Sequence, residues 1–387
     1  MKKKIYNYAI DIDKATEEQF EHCVNQDFVV NAALMPDAHS GYVAPIGSVL
    51  ETKNYIVPSW VGYDIGCGMT AVKINEEVLS KIKNNTKKIY DEIMKNVPMG
   101  TGMLNHPKNI SDKTKKEFNA LLEKFEKGAH DKDIYKFIKN KSLSHLGTLG
   151  SGNHFLELCY SNNEFWIIVH SGSRGIGYKV AEKYMKKSSG SDKEFEATHP
   201  IKINSVVGKE YLNVLEFGLE FALLNRKEII YKTIYSIEQI LNQKLSYEIW
   251  TNKNHNHAVP HGKNYIHRKG ATPAEKGERG VIPANMRDGS YLVIGKGNPE
   301  FLFSSSHGAG RKLSRTEAKK KITMKKFKED MKGITGTVEK GTLDEAPDAY
   351  KNISRVMNAQ KDSVDIVKHL LPIISLKGSG HKGSKHD

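Results

Sequence analysis

"IIVHSGSRGIGY", Ile167–Tyr178, decides the reading of the fold. Ile167, Ile168 and Val169 are β-branched and lead into His170, the pattern of a buried strand. Ser171, Gly172, Ser173 and Arg174 then open a helix, since small hydroxyl residues favour helix starts. Hydroxyls, a guanidinium and a helix N-terminus together suit an anion, although an ordinary N-cap with a surface Arg would read the same way. Working outward, further strand-like runs are "FVVNAALM" from Phe28, "GMTAVKI" from Gly68, "EFWIIVHS" from Glu164, "YEIWTN" from Tyr247 and "SYLVIG" from Ser290. Helical spacing is clearest from Leu212 through Leu215, Leu219, Leu223, Ile230, Ile234, Ile237 and Leu241, interrupted at Arg226. That arginine is either paired at the core edge or turned into a polar site. Weaker helical patterns cover 17–27, 78–97, 114–128, 176–187 and 352–370. Strands and helices mix without regular alternation, so the expected class is α+β, with central β-sheets surrounded by helices. No repeat or Pro/Ser-rich linker divides the chain. The Lys-rich 80–145 region reads as a helical insertion and 379–387 as a flexible tail.

Lys and Arg number 59 against 45 Asp and Glu, a net charge of +14, which favours a polyanionic partner, nucleic acid before anionic membrane. Lys-rich runs such as "MKKK" also serve as plain solvated faces. Hydrophobic residues make up 38%, enough for a packed core and too many for a mainly disordered chain. The three cysteines, Cys23, Cys67 and Cys159, are too few and scattered for a disulfide framework. No secretory signal or membrane-length apolar run is present, so a cytoplasmic protein without a membrane association is expected.

Unusual residues gather in glycine-flanked turns beside apolar runs, where rigid scaffolds present functional groups. In "MPDAHSGYVAPIG", Met35–Gly47, Asp37 and His39 share one side of an extended segment, or else stabilise a polar turn. "VGYDIGCGM", Val61–Met69, offers the hard oxygen of Asp64 and the soft thiolate of Cys67 to a metal, though a buried structural cysteine would look alike. "LGTLGSGNHFLEL", Leu146–Leu158, carries Asn153, His154 and Glu157 after a glycine-rich turn that lacks a P-loop ending. "NKNHNHAVPHGKNYIHRKGATPA" from Asn252 holds His255, His257, His261 and His267, and His255 and His257 would share a strand face. At least one metal ligand is expected among them, with "HRKGAT" as a basic strip. "FSSSHGAGRKLSR", Phe303–Arg315, displays His307 among small residues beside Arg311; neutral imidazole can serve as nucleophile, base or ligand. Asp64, Cys67, His154, His170 and His255 form a mixed oxygen, sulfur and nitrogen set for one or two divalent ions, zinc by its thiolate and imidazoles or manganese by its carboxylate.

Six motifs in order then carry a resemblance: Asp64-Ile-Gly-Cys67-Gly, Gly152-Asn153-His154-Phe155, His170-Ser171-Gly172-Ser173-Arg174-Gly175, Asn254-His255-Asn256, His267-Arg268-Lys269-Gly270-Ala271 and His307-Gly308-Ala309-Gly310-Arg311. They resemble the RtcB family of RNA-splicing ligases from about Met35 to Gly378, which implies one compact ligase domain over 1–378. The resemblance implies joining of RNA 2′,3′-cyclic phosphate or 3′-phosphate ends to 5′-hydroxyl ends, in tRNA splicing or RNA repair, using GTP and two Mn²⁺ ions. It makes His307 the residue that carries GMP, before an RNA end activated by GMP is sealed. Asp64, Cys67, His154, His170 and His255 become the metal ligands, with Cys67 as the bridge. Nucleotide contacts carried over are Asn153, Glu157, Pro283, Asn285, Ser290, His307, Gly308, Ala309, Gly310, Tyr350 and Lys377. Asp37, His39, Arg174, Arg268, Lys269 and Arg311 would line the phosphate and RNA path. The implied partners are broken RNA and an archease-like activator, for a chain expected to be monomeric. Two departures stand out: Ala284-Asn285-Met286-Arg287 replaces the family's Gly-Ser-Met-Gly, which bears on guanine selectivity, and Val43 replaces a common glycine. The competing readings are a metal-dependent 2′,3′-cyclic phosphodiesterase that does not ligate and a non-catalytic RNA-end binding protein.

Overall fold

Ile167, Ile168 and Val169 are fully buried at the centre of the largest sheet, in the strand Glu164–Ser171. It pairs antiparallel with Phe155–Ser161 on one side and Gly68–Ile74 on the other. The computed structural model describes residues 3–378, so the tail expected at 379–387 lies outside the described residues. Across the sheet the order is Arg279–Asn285, Gly289–Gly295, Val364–Leu376, Phe155–Ser161, Glu164–Ser171, Gly68–Ile74 and Tyr247–Asn254, with Thr335–Gly336 beside Val364–Leu376. Alternate side chains leave opposite faces of a strand. Phe165, Ile167 and Val169 therefore pack with Ile229 and Ile230 of the helix Val206–Leu241, while Trp166 and Ile168 meet Val281, Leu292 and Leu370. The second contact curls the sheet, and Trp250 Nε1 donates across the curl to the Gly280 carbonyl (3.1 Å).

A second sheet runs Lys4–Asn7, Val29–His39, Ile46–Thr52, Asn264–Lys269 and Asn256–His261, with only the first pair parallel. The strand Tyr247–Asn254 of the first sheet and Asn256–His261 of the second are separated by His255 alone. His255 thus sits where the chain crosses between sheets, and not on one strand face with His257 as the spacing predicted. Pairing of Val29–His39 with Ile46–Thr52 shifts register between Leu34 and His39, which takes Asp37 out of the ladder. Ser205 caps the long helix by accepting from the Gly208 N–H, and Asn242 ends it in the left-handed conformation. Helices Leu79–Asn84, Thr86–Asn96, Asp112–Lys127 and Lys132–His145 occupy the chain between Gly68–Ile74 and Phe155–Ser161. The chain is α+β, as expected.

The helical pattern over 352–370 is corrected. The helix Ile353–Ala359 stops there, and Val364–Leu376 is a strand held by Gly289–Gly295 and Phe155–Ser161. Pairing on both sides overrides the spacing, and Pro372, which has no N–H to give, falls at a register shift. Among the described residues no helix is long and apolar enough to cross a membrane.

Candidate active site

The six motif turns converge on one cleft of about 1180 Å³ between these elements. Its floor is set by the long helix. Arg226, fully buried, donates through Nη1 to the carbonyls of Gly66 (2.9 Å) and Ser171 (2.8 Å) and through Nη2 to Asn254 Oδ1 (2.8 Å). One guanidinium therefore ties the turns that carry Cys67, His170 and His255. Beside it Asn225 accepts from the Gly147 N–H (2.8 Å) and donates to the carbonyls of Thr148 and Gly172 (both 3.1 Å), fixing the turn before His154. Of the two readings the sequence leaves for Arg226, the structure shows the charge turned to a buried polar site and not paired at the core edge, while Asn225 carries no signal in the sequence.

Cys67 Sγ lies 3.3 Å from His154 Nε2 and 3.1 Å from His170 Nε2. His154 Nε2 is 2.8 Å from Asp64 Oδ2, and His170 Nε2 is 3.1 Å from His255 Nε2. The Nδ1 atoms of His154 and His170 face the carbonyls of Leu149 (3.1 Å) and Asn153 (3.0 Å). A carbonyl only accepts, so in His170 Nδ1 carries the proton and the Nε2 lone pair points at the shared centre, while His154 turns its Nε2 to the same centre and to the Asp64 carboxylate. Asp64, Cys67 and His154 form one ligand group and Cys67, His170 and His255 a second, each with its ligand atoms within 4.8 Å of one another. Lone pairs facing each other around a buried thiol fit divalent cations, with the carbonyls orienting the imidazoles from behind. Burial pushes the Asp64 carboxyl up, but the charge and hydrogen bond of His154, with Arg174 beyond, outweigh it and hold it well below the usual range. Burial and the Asp64 charge push the Cys67 thiol up. Gly172 is required at this approach, because a Cβ there would overlap the Asp64 carboxylate.

His307 joins this centre through His255, with ring centroids 4.8 Å apart at 75°. Its Nδ1 is 2.7 Å from Asp37 Oδ2, which also accepts from the backbone N–H groups of His307 and Gly308 (both 3.2 Å). Asp37 is fully buried; burial raises its carboxyl, but the electrostatic attraction and hydrogen bond of the His307 ring outweigh it and hold the carboxyl below the usual range. The carboxylate fixes the proton on Nδ1 and leaves Nε2 with its lone pair. Gly310, at φ +73°, passes too close to the Asp37 carbonyl for any side chain. His39 Nδ1 donates to the Asp37 carbonyl (3.0 Å), and burial lowers its pKa to about 4.

Glu345 organises another wall. Buried, it accepts from Lys377 Nζ (2.9 Å), Arg311 Nη1 (3.1 Å), Arg315 Nη1 (2.8 Å) and Tyr350 Oη (2.5 Å). No local signal marked Glu345, since its partners come from three separate segments. Arg311 is further held by the Asp344 carbonyl (2.7 Å). Asn153, Glu157, Pro283, Asn285, Ser290, Gly308 and Ala309 line the cleft with Tyr350 and Lys377. In the departing loop Asn285 Oδ1 accepts from the Arg287 and Asp288 N–H groups (both 3.0 Å), and Arg287 turns to Asp288 and Asp330. Arg174 and Lys269 also line the cleft, with the Arg174 guanidinium packed beside the His154 ring. Arg268 does not. It is buried behind the wall on Ser304 Oγ (2.8 Å), His257 (3.2 Å) and the Phe303 carbonyl (3.3 Å). His261 meets Glu51 (3.1 Å) and His267 accepts from the Val57 N–H (3.0 Å), so the four-histidine segment gives the centre one ligand, His255.

Comparison with known proteins places relatives beside this chain. A family model described as tRNA-splicing ligase RtcB matches residues 19–378. The RNA-splicing ligase RtcB of Escherichia coli K12 is 33% identical over 97% of each chain. The tRNA-splicing ligase RtcB of Methanococcus maripaludis is 31% identical over 85% of this chain and 84% of its own, and that of Nanoarchaeum equitans 29% over 90% and 88%.

Proposed function

This chain belongs to the RtcB family of RNA-splicing ligases, and on that premise we propose that it seals RNA 2′,3′-cyclic phosphate or 3′-phosphate ends to 5′-hydroxyl ends, using GTP and manganese. The observation that carries the reading is His307 held by Asp37 and set against the double ligand group.

His307 Nε2 attacks the α-phosphorus of GTP; an N–P bond forms, the bond to the bridging oxygen breaks, and pyrophosphate leaves. Asp37 keeps the proton on Nδ1 and balances the positive charge that the ring gains, as a carboxylate does for a catalytic imidazole. An oxygen of the RNA 3′-phosphate then attacks the same phosphorus, the N–P bond breaks, and His307 returns to neutral imidazole. The 5′-hydroxyl finally attacks the RNA phosphate, GMP departs, and its proton goes to solvent. An end that arrives as a cyclic phosphate needs one water to open it first. Asp64, Cys67, His154, His170 and His255 would hold divalent cations, which would supply positive charge for the leaving pyrophosphate. Tyr350, Lys377, Asn153, Glu157 and the loop Pro283–Ser290 would receive the nucleotide.

The test is a sealing assay on two RNA strands, one ending in a 2′,3′-cyclic phosphate and, in a parallel set, a 3′-phosphate, and one beginning with a 5′-hydroxyl. Wild type with GTP and Mn²⁺ gives the joined strand, and His307→Ala gives none. An opened but unjoined 3′-phosphate formed without GTP would mean a phosphodiesterase. Strand binding with no reaction under any condition would mean an RNA-end binding protein.

A further inference from the structure

Tyr42 stands apart from the aromatic residues around it. It is 53% exposed and lines the cleft, whereas its neighbour Val43 packs into the core beneath the first helix. Its ring meets Tyr63 edge to face, with centroids 5.9 Å apart at 88°. Tyr63 in turn stacks on Tyr178, 4.8 Å away at 17°, and donates its hydroxyl to Glu196. Tyr63 is buried in the main hydrophobic core and half-buried Tyr178 packs against it, which braces the far side of the assembly. The backbone beneath Tyr42 is pinned as well. The Gly41 N–H donates to Gln19 Oε1 (3.0 Å), and Gln19 Nε2 donates back to the Gly41 carbonyl (2.8 Å).

An aromatic side chain held this firmly and left more than half open has already given up the freedom that binding would remove. Its surroundings select the partner. Arg174, Lys269 and Ser40 line the same cleft, and the chain carries +14 overall, so an anionic ligand with flat apolar faces fits better than an apolar peptide. The nucleotide-side residues Tyr350 and Lys377 are tied to Glu345 and Arg311, whereas Tyr63 and Arg174 flank the Asp64 and His170 turns. At about 1180 Å³ the cleft exceeds the ~300–1,000 Å³ usual for one small ligand. It has room for more than a nucleotide.

We propose that Tyr42, braced by Tyr63 and Tyr178, is a stacking platform for the nucleobase beside the RNA break, with Arg174 and Lys269 on the adjoining phosphates. The inference rests on the ligase reading and adds to it the place where the RNA end is gripped. Because every base has a π face, this grip is indifferent to sequence.

The experiment uses the full chain and short RNA strands with 2-aminopurine, whose emission stacking quenches, as the terminal base of either the 3′-phosphate strand or the 5′-hydroxyl strand. Wild type and Tyr42→Phe are expected to quench one of the two probes. Tyr42→Ala should lose the quenching and weaken Kd by about five- to a hundred-fold, the range that removal of a stacked aromatic gives. Covalent labelling by GTP, a step that involves no RNA, is run on the same preparations and should be equal in all three. The proposal is overturned if neither probe is quenched, if Tyr42→Ala binds as tightly as wild type, or if that variant also loses the label. Wild type that quenches the probe but neither labels nor seals would refute the ligase reading and leave the stacking site standing.

Discussion

Asp37 Oδ2 accepts from the His307 ring and from two backbone N–H groups of the same turn, so one oxygen sets both the tautomer and the position of the imidazole. Asp37→Asn keeps the shape but presents an amide that can donate to Nδ1, which moves the ring proton to Nε2. Covalent labelling by GTP should slow on the order of 10²- to 10⁴-fold with little change in GTP affinity; an unchanged rate would remove Asp37 from its positioning role. Glu157 makes a second prediction. Burial raises its carboxyl from 4.5 to about 7, against the smaller lowering effects of the Cys159 hydrogen bond and the Lys377 charge. The folded state therefore holds this proton more tightly than the unfolded chain. Its contribution is full below about pH 4.5 and is lost as pH rises through about 7, on the order of 3 kcal/mol. The Tm of wild type relative to Glu157→Gln should fall between pH 5 and 8, and a difference independent of pH would contradict the assignment. At this scale the sequence was informative because rare chemistry stands out: Asp64, Cys67 and His307 are conspicuous in glycine-rich turns. It was silent on Glu345, whose importance comes from three distant cations.

The long helix Val206–Leu241 serves the site as much as the core. Arg226 satisfies the carbonyls of Gly66 and Ser171, which no other side chain could reach in its place without the same fan of donors. Arg226→Met fills similar space and removes the charged donors from both buried carbonyls, at a cost of about 3 kcal/mol. Urea denaturation should register that loss, and Mn²⁺ affinity measured by calorimetry should fall with it. Retained stability and metal affinity would show that the turns hold themselves. The strand ending at His170 and the helix after it could be read directly, but the hydroxyl cap could not: Arg174, at φ +59°, stands at the helix start without a side-chain cap bond, and Ser171 and Ser173 donate instead to the carbonyls of Leu149 and Ile65. The crossing at His255 could not be read either, since two strands separated by one residue look like a single strand until their sheets are known. Val364–Leu376 was misread as helix for a related reason: its partners lie far away in the chain, at Gly289–Gly295 and Phe155–Ser161.

Across the described residues, two sheets and one long helix place six short turns around one cleft, and the chain as a whole carries a basic surplus of +14. Charge of that kind acts by releasing counterions from the RNA backbone. The logarithm of RNA affinity should fall linearly with the logarithm of salt concentration, at about 0.7 for each phosphate neutralised on a single strand; a flat dependence would mean that the basic surface is only solvated. Composition could show the surplus, but the arrangement of the cleft required the fold. The central claim concerns His307 and is most directly tested by incubating the full chain with Mn²⁺ and each of four α-³²P-labelled nucleoside triphosphates, then mapping the labelled peptide. The account predicts an acid-labile label from GTP on the peptide containing His307, absent from His307→Ala. No label on metal-loaded protein, or a label that survives in His307→Ala, would contradict it.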